Sequence, residues 1–402
     1  MDRREFVKMT GALAVGALPA AKGKSAAVGS NASGRYTVAV YYFPGWHGKS
    51  RWKSLENVRS IYKGQYEPEV PLWGQLKGNN PTTMDKYIHA MTAHGINTII
   101  FDWYRFQTGR TLEDSLRDGF LKASDRHRIK FSLMWANPPV PPYQAVFTRK
   151  RFDQVADEAI AYFKHSNYWT INGKPYFSIY WLGTLLEHLG GVAGARAALE
   201  GFRRRAMRAG LPGVHLNLVT WKDAGGEMWF AKGQHAPNVP GKKIQTPAQL
   251  ITALGFDSTT WYTWTHWVAP RKPTQNYISW GDAAVAYWEN QPALGVPFFP
   301  NVTMGWDGMP QHEKGIIVNN TPQNFGRFLL RAKRWLDTHP ASMNILTINA
   351  WNEWGEGSYL EPDVVHRMAY LDEVRKVFPP HGRIRPVPGE YPAPPSIRKS
   401  RF

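Results

Sequence analysis

The sequence predicts an α/β fold, a single (β/α)8 TIM barrel with long βα loops. Short apolar runs bounded by turn residues recur eight times, stretches of helical periodicity separate several of them, and polar or aromatic residues gather just past each run's carboxyl end. The runs are Thr37 to Phe43, Thr98 to Trp103, Lys130 to Trp135, Pro175 to Trp181, Val214 to Trp221, Asp257 to Tyr262, Pro297 to Thr303 and Ile345 to Ala350. Each has strand length and most are largely apolar, as expected where both faces of a parallel strand are covered. Helical patterns fall at Met84 to His94, Leu112 to His127, Phe152 to Lys164, Ala193 to Ala209 and Asn324 to His339. The segments Lys49 to Asn80 and Lys222 to Leu254 are rich in Gly, Pro and Lys and occupy βα positions, where loops form the walls of a cleft.

In such a barrel the chemistry sits at the carboxyl ends of the strands. Tyr42 and His47 lie at or just past the end of the first run, Asp102, Trp103 and Tyr104 of the second, Trp135 and Asn137 of the third, and Tyr180 and Trp181 of the fourth. Trp221 ends the fifth, Trp264 and His266 follow the sixth, and Trp306 and Asp307 follow the seventh. These are candidate substrate contacts, and each aromatic among them is equally open to a reading as rim packing.

The eighth run leads into Trp351-Asn-Glu-Trp-Gly-Glu-Gly-Ser-Tyr-Leu-Glu-Pro-Asp363, the most informative stretch of the chain. It places two carboxylates, Glu353 and Glu356, beside Asn352 and the indoles of Trp351 and Trp354, with a glycine on each side of Glu356. Glycosidic bonds are cleaved by such pairs, one carboxyl protonated to assist the leaving oxygen and the other charged as base or nucleophile. Apolar indoles help to separate the two pKa values. Glu361, in a Glu-Pro-Asp context, reads as the start of the next helix or as a supporting hydrogen-bond partner rather than as a catalytic group.

This whole segment resembles the signature of the WbsX-like group, related to glycoside hydrolase family 99 and its endo-α-mannosidases, whose members carry Asn-Glu-Trp-x-Glu-Gly followed by Glu-Pro. Val40-Tyr-Tyr-Phe-Pro-Gly-Trp46, Phe101-Asp-Trp-Tyr104, Met134-Trp-Ala-Asn137, Gly173-Lys-Pro-Tyr-Phe177, Tyr180 and Pro300-Asn-Val-Thr-Met-Gly-Trp-Asp307 resemble the same group. The resemblance implies a retaining glycoside hydrolase. Glu353 would deprotonate the substrate's 2-hydroxyl to form a 1,2-anhydro sugar, and Glu356 would act as acid/base; a simple displacement remains open. Because WbsX-like proteins are often described as acting in lipopolysaccharide biosynthesis, the competing class is a glycosyltransferase of O-antigen assembly. Such a transferase usually needs a nucleotide site or a metal-binding DxD pattern, and the chain shows neither. A noncatalytic glycan-binding barrel is the third class.

The amino terminus predicts export. Arg3 and Arg4 precede Phe6, Lys8 and a mildly apolar stretch from Met9 to Ala20, the pattern of a twin-arginine signal recognised by that export machinery. Residues 1–33 read as this signal and a disordered Gly/Ala/Ser-rich linker, residues 34–378 as the catalytic barrel, and residues 379–402 as a Pro/Arg-rich tail. Periplasmic or secreted localisation follows. There is no other run long enough to span a bilayer, so stable membrane insertion is not expected.

The 402 residues carry a formal charge of +18, part of it in the signal. A basic exported protein meets acidic polysaccharide or lipopolysaccharide, whereas nucleic acid is disfavoured by scattered charges and by the lack of a helix-turn-helix, RNA-binding or zinc pattern. Zero cysteines exclude disulfides and thiolate chemistry. Thirteen histidines show no HExxH arrangement, so no metal and no cofactor is expected. The 18 tryptophans serve either as core or as stacking platforms for sugar rings, whose apolar faces pack on indoles.

Overall fold

The computed structural model describes residues 35–46, 51–53, 55–56, 69–105, 112–139, 145–222, 244, 246–290, 294–308 and 315–380. The export signal, the linker, His47 and nearly all of the tail lie outside the described residues, as do part of the segment Lys49 to Asn80 and most of the segment Lys222 to Leu254.

Nine parallel strands form the central sheet: β1 (Thr37–Tyr42), β2 (Thr98–Tyr104), β3 (Lys130–Ala136), β4 (Lys174–Ile179), β5 (His215–Val219), β6 (Ser258–Thr260), β7 (Phe298–Phe299), β8 (Asn301–Thr303) and β9 (Ile345–Asn349). Neighbours run in the order β8-β9-β1-β2-β3-β4-β5-β6-β7. Because β7 and β8 are two pieces of one stretch interrupted at Pro300, which has no N–H to give to a ladder, the ring has eight positions. Every predicted run thus becomes a barrel strand.

Between the strands lie α1 (Pro81–Ala93), α2 (Arg149–Phe163), α3 (Leu182–Leu189), α4 (Gly191–Arg208), α5 (Pro247–Leu254), α6 (Tyr277–Asn290) and α7 (Pro322–Thr338), with α8 (Ala369–Val377) after β9. Their starts are chemically marked. Asn80 accepts from the Thr82 N–H ahead of α1, Thr148 caps α2, Thr321 caps α7, and Thr246 with Gln249 forms a capping box on α5. Helix α7 shows how such a helix docks: Phe325, Phe328, Leu329, Ala332 and Leu336 share one buried face at helical spacing.

Two expectations fail locally. The helix expected over Leu112 to His127 is instead a π turn, Ser115–Gly119, followed by short 3-10 turns at Phe120–Lys122 and Arg126–Arg128. A Cβ on Gly119 would lie 2.1 Å from the Gly78 carbonyl oxygen, so the backbone packs there at glycine distance. The loop expected up to Leu254 ends early in α5, whose capping box outweighs the preceding Gly/Lys-rich composition.

The barrel wall separates two hydrophobic layers. Outside, under the helices, Val40, Phe101, Leu133, Phe177, Leu218, Val302 and Leu346 pack with helix side chains. Inside, Tyr41, Ile100, Met134, Tyr176, Val219, Tyr262 and Phe299 form a smaller cluster. Polar side chains interrupt the interior as a hydrogen-bonded belt: Ser178 to Asn217 at 2.9 Å, Asn217 to Ser258 at 2.9 Å and His215 to Ser258 at 2.8 Å. Burial depresses His215 to about 4, so it is neutral within this belt.

Candidate active site

Beyond β9 the chain turns back on itself. Asn352–Glu353 pairs antiparallel with Ser358–Tyr359, and the turn between them, Trp354–Glu356, carries the second carboxylate. Three contacts fix this hairpin against the barrel mouth. The Asn352 side chain accepts from Phe43 N–H and donates to Phe43 O, both at 2.8 Å, tying the hairpin to the end of β1. The Asp307 N–H donates to Glu356 O at 2.7 Å. Gly357 adopts φ +59, and a Cβ there would lie 2.7 Å from the Asp307 Cβ, so this glycine is required by both conformation and space.

The hairpin aims Glu353 at the barrel axis, where it meets Asp102 from β2 and Tyr262 just past β6. The Tyr262 hydroxyl lies 2.9 Å from Asp102 Oδ2 and 2.9 Å from Glu353 Oε1. All three side chains are buried. Burial pushes Glu353 up to about 7, opposed by the Tyr262 hydrogen bond and by the Arg51 charge. Asp102 is raised well above the usual carboxylate range, first by burial and then by Glu353 and Glu356. Glu356 is half-buried, and its charge acts on Asp102, Tyr180 and Tyr262, which places it over the same point.

One side of this acid cluster is an aromatic wall. Trp221 stacks on His266 and meets Trp181 edge-on with ring centroids 4.5 Å apart; Tyr180 stands edge-on to both Trp221 and Tyr262. Tyr180, Trp181, Trp221 and His266 are only partly buried, so these rings reach the surface of the mouth. On the other side, Phe43, Trp46, Trp52, Tyr104, Trp354 and Tyr359 pack together. A buried acid pair under half-open aromatic rings suits a polar ring molecule with apolar faces, which is what a sugar is.

Several predicted contacts point elsewhere. Successive residues of a strand face opposite sides, so Asp102 enters the barrel and Trp103 leaves it. Trp103 stacks under Arg105, with the guanidinium carbon 3.6 Å from its ring, and donates to Glu113 at 3.1 Å. Tyr42, Trp135, Trp264, Trp306 and Trp351 likewise belong to the outer layer; Trp264 donates to Asn301 O at 2.8 Å, and Trp135 packs on Phe147 and Phe152. These are corrections, with one cause: a substrate at the mouth cannot reach the helix side of the wall. Asn137 and Asn352 are corrected for a different reason, since their amides are committed to the protein. Asn137 bonds Trp181 N, Trp181 O and the Thr184 hydroxyl, each at 2.8 Å. Trp354 stacks on Tyr359 and donates to Glu361 at 2.9 Å, and Asp307 is buried under the hairpin, so both shape the turn.

Two site residues escaped the sequence reading. Tyr262 was hidden within an aromatic run, Trp261 to Trp267, in which every second ring serves packing. Arg51 sits in a Lys/Gly-rich segment with no periodicity to single it out. Among the described residues no three His, Asp or Glu are grouped so as to hold a metal ion, and no helix is long and apolar enough to cross a membrane.

Comparison with known proteins accords with this geometry at the level of fold. The chain is similar to a solved glycoside hydrolase-like protein (TM-score 0.55, 13% identity, covering 87% of this chain and 97% of that one). It is also similar to the family 99 endo-α-mannosidase of Bacteroides thetaiotaomicron (TM-score 0.53, 14% identity, 85% and 95% covered). Among curated sequences it is 22% identical over 376 residues to the uncharacterized protein WxcX of Xanthomonas campestris pv. campestris, covering 85% of this chain and 49% of the relative. The chain therefore spans about half the length of the curated relatives it matches. A family model described as Glycosyltransferase WbsX matches residues 44–374, most of the chain, and the protein belongs to that family.

Proposed function

We propose that this carbohydrate-active barrel is an exported glycoside hydrolase that cleaves a glycosidic bond in a poly- or oligosaccharide with retention of configuration. The observation that carries the reading is the pair Glu353 and Glu356 at the barrel mouth, one buried and raised to about 7, the other half-buried. A base is most effective when its pKa lies near the working pH, which a buried carboxyl reaches and an exposed one does not.

In the proposed sequence Glu353 takes the proton of the substrate's 2-hydroxyl and that oxygen attacks the anomeric carbon. Glu356 gives its proton to the departing oxygen as the glycosidic bond breaks. The resulting 1,2-anhydro sugar is opened by a water that attacks the anomeric carbon and passes a proton to Glu356, while the released 2-oxygen recovers its proton from Glu353, restoring both groups. A direct displacement by Glu353 is the competing route and leaves the same products.

The printed name of the family favours a second reading, transfer of a sugar to a glycan acceptor. The two separate by product: incubation with a panel of bacterial and plant glycans releases reducing ends under the hydrolase reading, whereas a transferase lengthens an acceptor only when an activated donor is present. A noncatalytic binding barrel gives neither. Export rests on Arg3 and Arg4 ahead of Phe6. Replacing both with lysine should retain the precursor in the cytoplasm; cleaved protein in the periplasm of that double variant would refute the twin-arginine reading.

A further inference from the structure

The Tyr262 hydroxyl has one hydrogen and two carboxyl neighbours. Asp102 Oδ2 and Glu353 Oε1 both lie 2.9 Å from it. If both carboxyls were charged, one would face the phenol's lone pairs with no hydrogen between, among side chains that are all buried. Both contacts are satisfied only when one carboxyl supplies a proton of its own. Geometry and surroundings identify which.

Glu353 lies within the field of Arg51, which favours its charged form. The charges acting on Asp102 are those of Glu353 and Glu356, both of which oppose its ionisation. Asp102 Oδ1 is buried without a hydrogen-bond partner among the described residues, a position tolerable for the carbonyl oxygen of a neutral acid and costly for a carboxylate. The remaining groups that face the pair are tyrosines: Tyr41 from β1, Tyr180 after β4 and Tyr104 from β2 beside Tyr262. Burial raises Tyr41, Tyr180 and Tyr262 far above neutrality, so none of these three competes for the proton.

We infer that Asp102 is a third acid of the site, protonated at neutral pH and donating to the Tyr262 oxygen, which commits the Tyr262 hydrogen to Glu353 and leaves Glu353 charged. The inference rests on the reading of Glu353 as the base. Asp102 is then a positioning residue acting through Tyr262. The protons balance simply: the substrate's hydroxyl proton moves to Glu353 and returns, while the Asp102 proton stays where it is. A pair holding one proton also explains how two buried carboxyls share a single hydroxyl.

The test uses the whole protein labelled with 13C at aspartate carboxyls and followed by NMR against pH, a readout that needs no substrate and so fails independently of the hydrolase reading. One aspartate resonance should keep the position of a neutral acid at pH 7 and vanish in Asp102→Asn. If every aspartate ionises below about pH 5, near the ordinary range, the inference is overturned. It is equally overturned if the persistent resonance survives in Asp102→Asn. Should that variant not fold, Tyr262→Phe in the labelled protein replaces it: removing the acceptor should move the persistent resonance, and an unmoved one contradicts the chain of donors. Where turnover is measurable, a second readout separates positioning from mere packing. Asp102→Asn keeps a neutral donor, so the acid limb of the kcat/KM profile should move by less than about half a pH unit. Had Asp102 been charged, removing it would lower that limb by more than about one pH unit.

Discussion

Glu353 and Glu361 are both buried, both held by tyrosine and pushed up to about 7 by burial, yet their surroundings assign them different work. Glu353 shares its hydroxyl partner with a second acid, feels the Arg51 charge and lies beneath the half-open wall of Trp181, Trp221 and His266. Glu361 accepts from Tyr87 at 2.7 Å and from the Trp354 indole at 2.9 Å, so both its oxygens are occupied by groups that are themselves packed. Its partner Trp354 is the ring stacked on Tyr359 at the turn bearing Glu356. A raised carboxyl is therefore not by itself a mark of catalysis; access to the mouth decides.

The contrast is broken most forcefully at the proposed catalytic pair. Glu353→Gln and Glu356→Gln should each lower turnover by at least about 10²-fold with substrate binding still measurable, because base and acid act in the transition state. Glu361→Gln should leave turnover within a few-fold. Equal losses at Glu353 and Glu361 would erase the distinction.

The second prediction concerns stability, and its sign follows from the raised pKa. Between about pH 4.5 and 7 the folded protein keeps a proton on Glu361 that the unfolded chain has released, so this residue makes the protein less stable as pH rises and then levels off above 7. Glutamine mimics the protonated form, giving its N–H to Tyr87 and accepting from Trp354. Glu361→Gln should therefore gain stability over the wild type on going from pH 5 to pH 8, by on the order of 3 kcal/mol at most. Parallel stability curves from denaturant titrations at the two pH values would sink this account.

A smaller effect sharpens the difference between the two sides of the wall. Trp221→Ala should weaken substrate binding by up to about tenfold, on the order of 1.4 kcal/mol, through KM, whereas Trp103→Phe should leave KM unchanged and lower stability instead. The smallest effect is on salt. If the positive charge attracts an acidic glycan, kcat/KM should fall a few-fold between about 0.1 and 1 M salt, as the Debye length shrinks from about 10 Å to about 3 Å. A neutral glycan should show no such fall.

The fold was legible because parallel barrel strands are apolar on both faces and stand out as runs such as Thr98–Tyr104 and Ile345–Asn349. The same property hid the site. With no alternation along β2, nothing in the sequence separates Asp102, facing Glu353, from Trp103, facing Arg105. Glu353 and Glu356 were readable because Gly355 and Gly357 flank the second acid in a turn; for Gly357, no side chain fits beside Asp307. Asn137 and Asn352 have the residue type of sugar ligands, and only coordinates reveal that main-chain groups occupy them. Tyr262 and Arg51 join the site from distant parts of the chain, a convergence that no local pattern records.

The division of labour between the two acids is the central claim, and leaving-group chemistry tests it most directly. Glu356→Gln and Glu353→Gln would each be assayed on a natural glycan and on the same sugar bearing an acidic phenol as leaving group. An acidic phenol departs without protonation, so loss of the acid costs less there while loss of the base costs the same. The account predicts that Glu356→Gln recovers at least about tenfold in the rate of phenol release relative to its loss on the natural glycan, and that Glu353→Gln recovers none. Recovery in Glu353→Gln alone would reverse the assignment, and equal losses on both substrates in both variants would contradict it.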